Sequence, residues 1–235
     1  MSSAVTRLEL TDPGEGRRLS QEACEDLRGQ LRTAARSAPR CLAIDVEGAA
    51  WHQYPDLASA GLDGGRAAVQ TAVAGNFHAL IEQLFAFPAP VVVTVDGPVS
   101  GFGLGLALAA DLRFATPRAS FSIGSPAGAA ALLGGTSWLM TRAAGAATFA
   151  HLAWTGATLD AETARDRGLI SSVSPEAGAQ AQELAQSLAA LPAATTSALK
   201  RALTSRQRPD LAATLDYESW LVAVATDGAG PEQNA

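Results

Sequence analysis

The sequence has few residues that would bind a metal or cross-link the chain. Its two cysteines, Cys24 and Cys41, stand apart, with no Cys-x-x-Cys spacing and no histidine nearby in sequence. Isolated thiols of this kind indicate neither a zinc site nor a disulfide framework. We therefore expect reduced cysteines and no metal cofactor.

Positive charge is also scarce. The chain has 17 Lys and Arg residues against 23 Asp and Glu residues, a net charge of -6, and Lys200 is its single lysine. This balance argues against sequence-independent binding to nucleic acid or to an anionic membrane surface. An anionic phosphate of a ligand would have to be bound by arginine or by backbone amides.

Long hydrophobic runs are missing as well. The longest run, 98–110, is flanked by Asp96 and Asp111 and is too short to span a bilayer. Residues 1–11 contain no apolar segment typical of a secretion signal. We expect a soluble, cytoplasmic protein in which the 48% of hydrophobic residues fill one large core.

The hydrophobic periodicity of the first half predicts an α/β domain. A helix is predicted from Ser20, its N-cap, and another at 65–85. Buried strands are predicted at 42–46, 91–95, 112–115 and 119–123, and a glycine turn leads into an apolar helix between 96 and 111. Helices and strands thus alternate, which favours parallel strands.

The second half is predicted to be mainly helical. Helices are indicated at 137–144, 146–154, 161–167, 176–191, 195–206 and 210–225, with a short strand at 169–173. The apolar faces from Glu176 onward exceed what a short terminal region can bury on itself, so we expect an oligomer. Residues 228–235 predict a disordered tail.

Three segments in a fixed order resemble a known family. The first, Pro90 to Ala115, is a strand, a glycine turn, a buried helix and an aspartate; the second is Gly134-Gly135-Thr136; the third runs from Thr155 to Ile170. Together they resemble the crotonase superfamily, that is, the enoyl-CoA hydratases and isomerases.

The resemblance implies a fold and a class of ligand. The fold would be a crotonase-like spiral of β-β-α turns over residues 1–190, with a helical oligomerisation region at 191–227 that forms a homotrimer or hexamer. The ligand would be an acyl thioester, carried by coenzyme A or by an acyl carrier protein. Coenzyme A would then be part of the substrate, and no separate cofactor is expected.

The resemblance further implies that two backbone amides stabilise a thioester enolate. A glycine turn between a strand and a helix directs free N–H groups and the positive end of the helix to one point, where developing negative charge is stabilised. By position, one donor is the amide of Phe102, between Gly101 and Gly103. The other is the amide of Gln53, in the loop after the first buried strand.

The two glutamates of the family's hydratases are replaced in this chain. The first position is Gly105 and the second is Ser125, and neither residue can act as a carboxylate acid or base. The groups that remain to move protons are Asp56 and His52, in the loop expected to border the thioester, and Ser125 itself.

Two functional hypotheses stay open at this point. The first is an enzyme with hydratase, dehydratase or isomerase chemistry, for example in polyketide or secondary-metabolite precursor biosynthesis. The second is an auxiliary subunit that has kept the fold and assists a partner enzyme such as a polyketide synthase. The retained glycine turn favours the enzyme, whereas the missing glutamates favour the auxiliary subunit.

Other readings of the same residues are weaker. The spacing of Gly101, Gly103 and Gly105 does not match a dinucleotide-binding fingerprint, and Ser100 has no paired histidine in a nucleophile-elbow pattern. Structural roles are predicted for a further set of residues: hydrogen bonds within a turn for Asp111, satisfied burial for His78 and His151, and core or subunit contacts for Trp138, Trp154 and Trp220.

Overall fold

The computed structural model describes residues 4–10, 21–47, 70–71, 73–124 and 134–228. The first half contains β1 (Val5–Leu10), α1 (Gln21–Arg36), β2 (Cys41–Glu47), a π-helical turn (Val73–His78) that runs into α2 (Ala79–Phe85), β3 (Val91–Asp96), β4 (Pro98–Ser100), α3 (Gly101–Ala109), β5 (Leu112–Ala115) and β6 (Ser120–Ser122). The second half contains α4 (Thr136–Ala144), α5 (Ala146–Thr155), β7 (Thr158–Asp160), α6 (Ala161–Asp166), β8 (Ser172–Val173), α7 (Ala177–Ala190), α8 (Ala193–Thr204) and α9 (Arg208–Gly228).

The strands form two sheets. Five parallel strands make the larger sheet in the order β1-β2-β3-β5-β8, and the smaller sheet has the order β4-β6-β7. Strand β4 runs parallel to β6, whereas β7 is antiparallel to it. Along the chain, a strand of the larger sheet (β3) is followed by a strand of the smaller sheet (β4) and then by a helix (α3). The same order recurs in β5, β6 and α4. The predicted α/β fold with β-β-α turns is confirmed.

Apolar periodicity explains the elements that position α3. In α1, Cys24, Leu27, Leu31 and Ala34 recur on one face, and all four are buried. Strand β3 is buried from Val91 to Val95, as expected for a central parallel strand. Helix α3 is buried at all nine of its positions, so it lies within the core with no solvent-facing side.

An ion pair between a buried lysine and a half-buried aspartate fixes the end of α3. Both carboxylate oxygens of Asp111 accept hydrogen bonds from Lys200 Nζ of α8, at 2.7 and 2.9 Å. One of them also accepts the Val91 amide at the start of β3, at 2.8 Å. The structural role predicted for Asp111 is confirmed, and Lys200, the chain's single lysine, is its partner.

Several elements differ from the sequence prediction. Strands β1, β4 and β7 were not predicted, because they are short or lack a clean alternation of apolar and polar residues. The strand predicted at 169–173 is reduced to β8, because the Leu169 amide still bonds to the carbonyl of Ala164 in α6. His151 is exposed on α5, so its predicted burial is wrong. None of the described helices is long and apolar enough to cross a membrane.

Candidate active site around the glycine turn

The glycine turn lies between β4 and α3. Ser100 is extended, with φ -147° and ψ 162°, and Gly101 then adopts a φ of 52°, in the left-handed region that glycine favours. Phe102 and Gly103 follow in the first turn of α3, where amides have no acceptor within the helix and lie at its positive end. This geometry fits a role in binding a carbonyl oxygen, and the oxyanion role of Phe102 stays a prediction.

The side chain of Phe102 is accommodated by the core. Phe102 is fully buried, and its ring packs edge-on against Phe77 of the π-helical turn, with ring centroids 5.4 Å apart and an interplanar angle of 77°. Edge-to-face contact is a favoured arrangement of two aromatic rings. A bulky residue is thus compatible with this position of the turn.

The turn formed by Gly134 and Gly135 lies directly on α3. A Cβ at Gly105 would lie 2.3 Å from the carbonyl oxygen of Gly134 and 2.9 Å from its carbonyl carbon. A Cβ at Gly134, whose φ is 78°, would in turn lie 3.4 Å from both Cα and O of Phe102. Position 105, which the resemblance assigns to the family's first glutamate, therefore has no room for a side chain while this turn keeps its place.

A buried carboxylate from α9 holds the Gly134–Gly135 turn. Oε2 of Glu218 accepts the Gly135 amide at 2.8 Å, and Oε1 accepts both the amide of Ser137 at 3.3 Å and its hydroxyl at 2.5 Å. Glu218 is only 1% exposed. It caps the N-terminus of α4, where a negative charge is favoured by free amides and by the helix dipole.

His78 contacts the same turn from the π-helical side. Its Nε2 accepts the Gly134 amide at 3.4 Å and lies 4.0 Å from Oε2 of Glu218. Burial lowers the pKa of His78 to about 4, with the backbone of Leu215 opposing this shift. The ring is therefore neutral near pH 7, as an accepting Nε2 requires.

Burial acts on Glu218 in the opposite sense. It raises the pKa of this carboxyl to about 7, against the opposing effect of the hydrogen bonds from Ser137 and Gly135. The titratable group that the structure places against it is His78. Burial thus favours the protonated form of Glu218 more strongly than it would be favoured at an exposed glutamate.

The predicted site residues fall into two groups. The structure brings Gly101, Phe102 and Gly103 together at the start of α3, next to Gly134. The remaining predicted residues lie outside the described ranges: His52, Gln53, Asp56 and Ser125. Among the residues that the structure describes, no cluster of His, Cys, Asp or Glu could hold a metal ion.

Sequence reasoning missed Glu218 and gave His78 only a structural role. A signal for Glu218 is present in the sequence. Glu218 lies at helical spacing after Leu211 and Leu215 and before Val222, and all three of these apolar residues are buried. A carboxylate on the apolar face of a helix needs a buried partner.

Comparison with known proteins agrees with the three motifs. The family model described as enoyl-CoA hydratase/isomerase matches residues 1–228. The chain belongs to the enoyl-CoA hydratase/isomerase family. This family member is 30% identical over 224 residues to the 1,2-epoxyphenylacetyl-CoA isomerase of Escherichia coli K12, covering 93% of this chain and 85% of the relative.

Further matches support the family and the fold. A probable enoyl-CoA hydratase of Rhodobacter capsulatus is 30% identical over 206 residues, which cover 83% of this chain and 77% of that protein. The crystal structure of an enoyl-CoA hydratase/isomerase from Pseudoalteromonas atlantica T6c superposes with a TM-score of 0.81 at 23% identity, covering 96% of this chain and 89% of the other.

The contact between Gly105 and Gly134 predicts a local intolerance to side chains. We expect Gly105→Ala to lower the free energy of unfolding by about 1–3 kcal/mol, because the added methyl group would overlap the Gly134 carbonyl and force the turn to move. Gly178→Ala in α7 is the matched control, since nothing lies within 4 Å of a Cβ there. Urea unfolding curves measure both, and equal stability of the two variants would contradict the contact.

The opposite pKa shifts of His78 and Glu218 predict opposing effects of pH on stability, which become measurable when one of the two residues is replaced. The folded state keeps His78 neutral, so its contribution to stability is lost as pH falls from 6.5, its ordinary pKa, to about 4. The folded state favours protonated Glu218, so its contribution is lost as pH rises from 4.5, its ordinary pKa, to about 7. Between pH 4.5 and 6.5 the two effects oppose each other.

Replacement of either residue should therefore change the slope of the free energy of unfolding against pH, with a sign that depends on the residue replaced. Relative to the wild type, Glu218→Gln should gain stability with rising pH between 4.5 and 6.5, and His78→Gln should lose it, each by up to about 1.4 kcal/mol per pH unit. Urea unfolding across this range gives the differences. Three parallel profiles would show that neither pKa is shifted.

Proposed function

We propose that this chain binds acyl-CoA thioesters with the carbonyl oxygen at the Phe102 amide, and that it catalyses hydratase, dehydratase or isomerase chemistry on the bound acyl group. The observation that carries the proposal is the left-handed Gly101, which places the Phe102 amide at the positive end of the buried helix α3. The family to which the chain belongs is named for reactions of acyl-CoA thioesters.

The proposed chemistry begins with polarisation of the thioester carbonyl. The Phe102 amide, and by resemblance the Gln53 amide, would donate hydrogen bonds to the carbonyl oxygen. Loss of a proton from the α-carbon then gives an enolate whose negative charge lies on that oxygen. One such donor typically contributes about 2.7–4 kcal/mol to stabilisation of the transition state.

The proton must be moved by a group other than a carboxylate at residue 105. Gly105 faces the Gly134 carbonyl at a distance that leaves no room for a side chain. The candidates from the resemblance are His52, Asp56 and Ser125. The E. coli relative is named a 1,2-epoxyphenylacetyl-CoA isomerase, which supports coenzyme A as the carrier and aromatic acyl groups as the first substrates to test.

The second candidate function is an auxiliary subunit that binds a thioester, on coenzyme A or on an acyl carrier protein, and assists a partner enzyme such as a polyketide synthase. The close approach of Gly134 to Gly105 favours it, because this contact removes the place of a catalytic carboxylate. The two candidates share the thioester site and differ in turnover. A role in secondary metabolism stays a prediction under either one.

Turnover and three variants separate the enzyme from the auxiliary subunit. A spectrophotometric panel of aromatic and straight-chain enoyl-CoA thioesters should show turnover by the purified chain if it is an enzyme. At least one of His52→Ala, Asp56→Asn and Ser125→Ala should then lose about a hundredfold to ten-thousandfold in rate while staying folded. Two results together would support the auxiliary role instead. The purified chain would turn over none of these thioesters, and each of the three variants would stimulate the partner enzyme to within about a few-fold of the activity that the wild type gives.

We also propose that the chain forms a homotrimer or hexamer through the helical region 191–227. Large apolar side chains are exposed on α5, α8 and α9, and they include Trp154, Leu199, Leu203, Tyr217 and Trp220. Trp154 is 82% exposed, so a core role for it is wrong and a subunit contact remains. Light scattering should give three or six times the 24.0 kDa mass of one chain, and a monomer or a dimer would contradict this proposal.

A further inference from the structure

The Gly134–Gly135 turn is tied down from two sides. On one side, α9 supplies the Glu218 carboxylate, which accepts hydrogen bonds from Gly135 and from Ser137. On the other side, the π-helical turn supplies His78, whose Nε2 accepts the Gly134 amide. Two elements far apart in sequence thus converge on one short turn.

The π-helical turn and the Gly134–Gly135 turn also contact the start of α3. Phe77, next to His78, packs its ring against the ring of Phe102. Gly134 lies against the backbone of Phe102 and against Gly105. A shift of the Gly134–Gly135 turn would therefore displace the amide that is proposed to bind the thioester carbonyl. A displacement of about 1 Å can lower the effectiveness of such a positioned group a hundredfold.

Neither side chain is placed to react with a ligand. Glu218 is 1% exposed and His78 is 3% exposed, and the polar contacts described above use both oxygens of Glu218 and the Nε2 of His78. A buried carboxylate is costly unless it is fully hydrogen-bonded, and here backbone amides and a hydroxyl satisfy it. Its effect on the site must be exerted through the turn.

We propose that Glu218 and His78 are positioning residues of the acyl-thioester site, which hold the Gly134–Gly135 turn against Phe102 and Gly105. This inference rests on the proposed function of the Phe102 amide. It assigns the two residues a role in carbonyl binding beyond stabilisation of the fold.

Glu218→Gln is the variant that isolates this role. Glutamine keeps the size of the side chain, but one of its two terminal atoms is an NH2 group that cannot accept a hydrogen bond. Either Gly135 or Ser137 then loses its acceptor. Asp216→Asn is the matched control, because it makes the same chemical change at an exposed position two residues away on α9.

The ligands of the test are acetoacetyl-CoA and free coenzyme A, with affinities measured by isothermal titration calorimetry. Acetoacetyl-CoA carries the thioester carbonyl and forms an enolate that absorbs in the near ultraviolet, whereas coenzyme A has no acyl group. We expect Glu218→Gln to bind acetoacetyl-CoA about tenfold to a hundredfold more weakly and to lose the enolate absorbance. Its affinity for coenzyme A should change by less than about twofold, and Asp216→Asn should match the wild type in every measurement.

A pair of variants at His78 gives a second, independent measurement. His78→Gln retains an acceptor for the Gly134 amide and should keep the preference for acetoacetyl-CoA over coenzyme A. His78→Phe removes the acceptor and should lose that preference. This pair decides the proposal if Glu218→Gln does not fold.

The outcomes separate this inference from the proposed function. If the wild type prefers acetoacetyl-CoA and folded Glu218→Gln and His78→Phe prefer it equally, the positioning role is overturned and the proposed function stands. If the wild type itself binds the two ligands equally, the proposed function fails and the positioning role fails with it.

Discussion

The backbone of Gly134 lies so close to α3 that a single carbon added at Gly105 would meet the Gly134 carbonyl oxygen at 2.3 Å. This contact determines what the site can contain. It leaves no space for a carboxylate at position 105, where the resemblance predicts one in a hydratase, and it places a second turn against the backbone of Phe102. This approach of two backbones leaves the proton transfer of the proposed enzyme to residues elsewhere, and it favours the alternative of an auxiliary subunit.

Two carboxylates, the half-buried Asp111 and the buried Glu218, stabilise this part of the fold in different ways. Asp111 is paired with Lys200 and fixes the end of α3 to β3 and α8. Among the residues that the structure describes, no such cation lies against Glu218; its partners there are two amides, a hydroxyl and a neutral histidine. Burial without a counter-charge raises its pKa, so the same carboxylate that holds the turn is also sensitive to pH.

Local patterns predicted most of the elements correctly. The spacing of Cys24, Leu27 and Leu31 is a helical signal that needs no tertiary information, and the apolar run of β3 is a signal of the same kind. The glycine turn at Gly101 was also predictable, because its motif is continuous in sequence.

Tertiary contacts were the part that the sequence could not provide. In the sequence, Gly105 and Gly134 belong to two separate motifs, and only the fold brings one onto the other. Glu218 stands out as a charge on an apolar helix face, but its partners Gly135 and Ser137 lie 83 and 81 residues away along the chain. Strand β1 was missed because its few apolar residues, Val5, Leu8 and Leu10, follow no simple period.

The central claim is that the Phe102 amide binds a thioester carbonyl. The most direct test is the infrared difference spectrum of acetyl-CoA labelled with ¹³C at the thioester carbonyl, recorded free and bound to the wild-type chain. We expect the labelled carbonyl stretch to move to lower frequency on binding, because N–H donors at the start of α3 polarise the bond. A bound ligand whose carbonyl frequency equals that of the free thioester in water would contradict it.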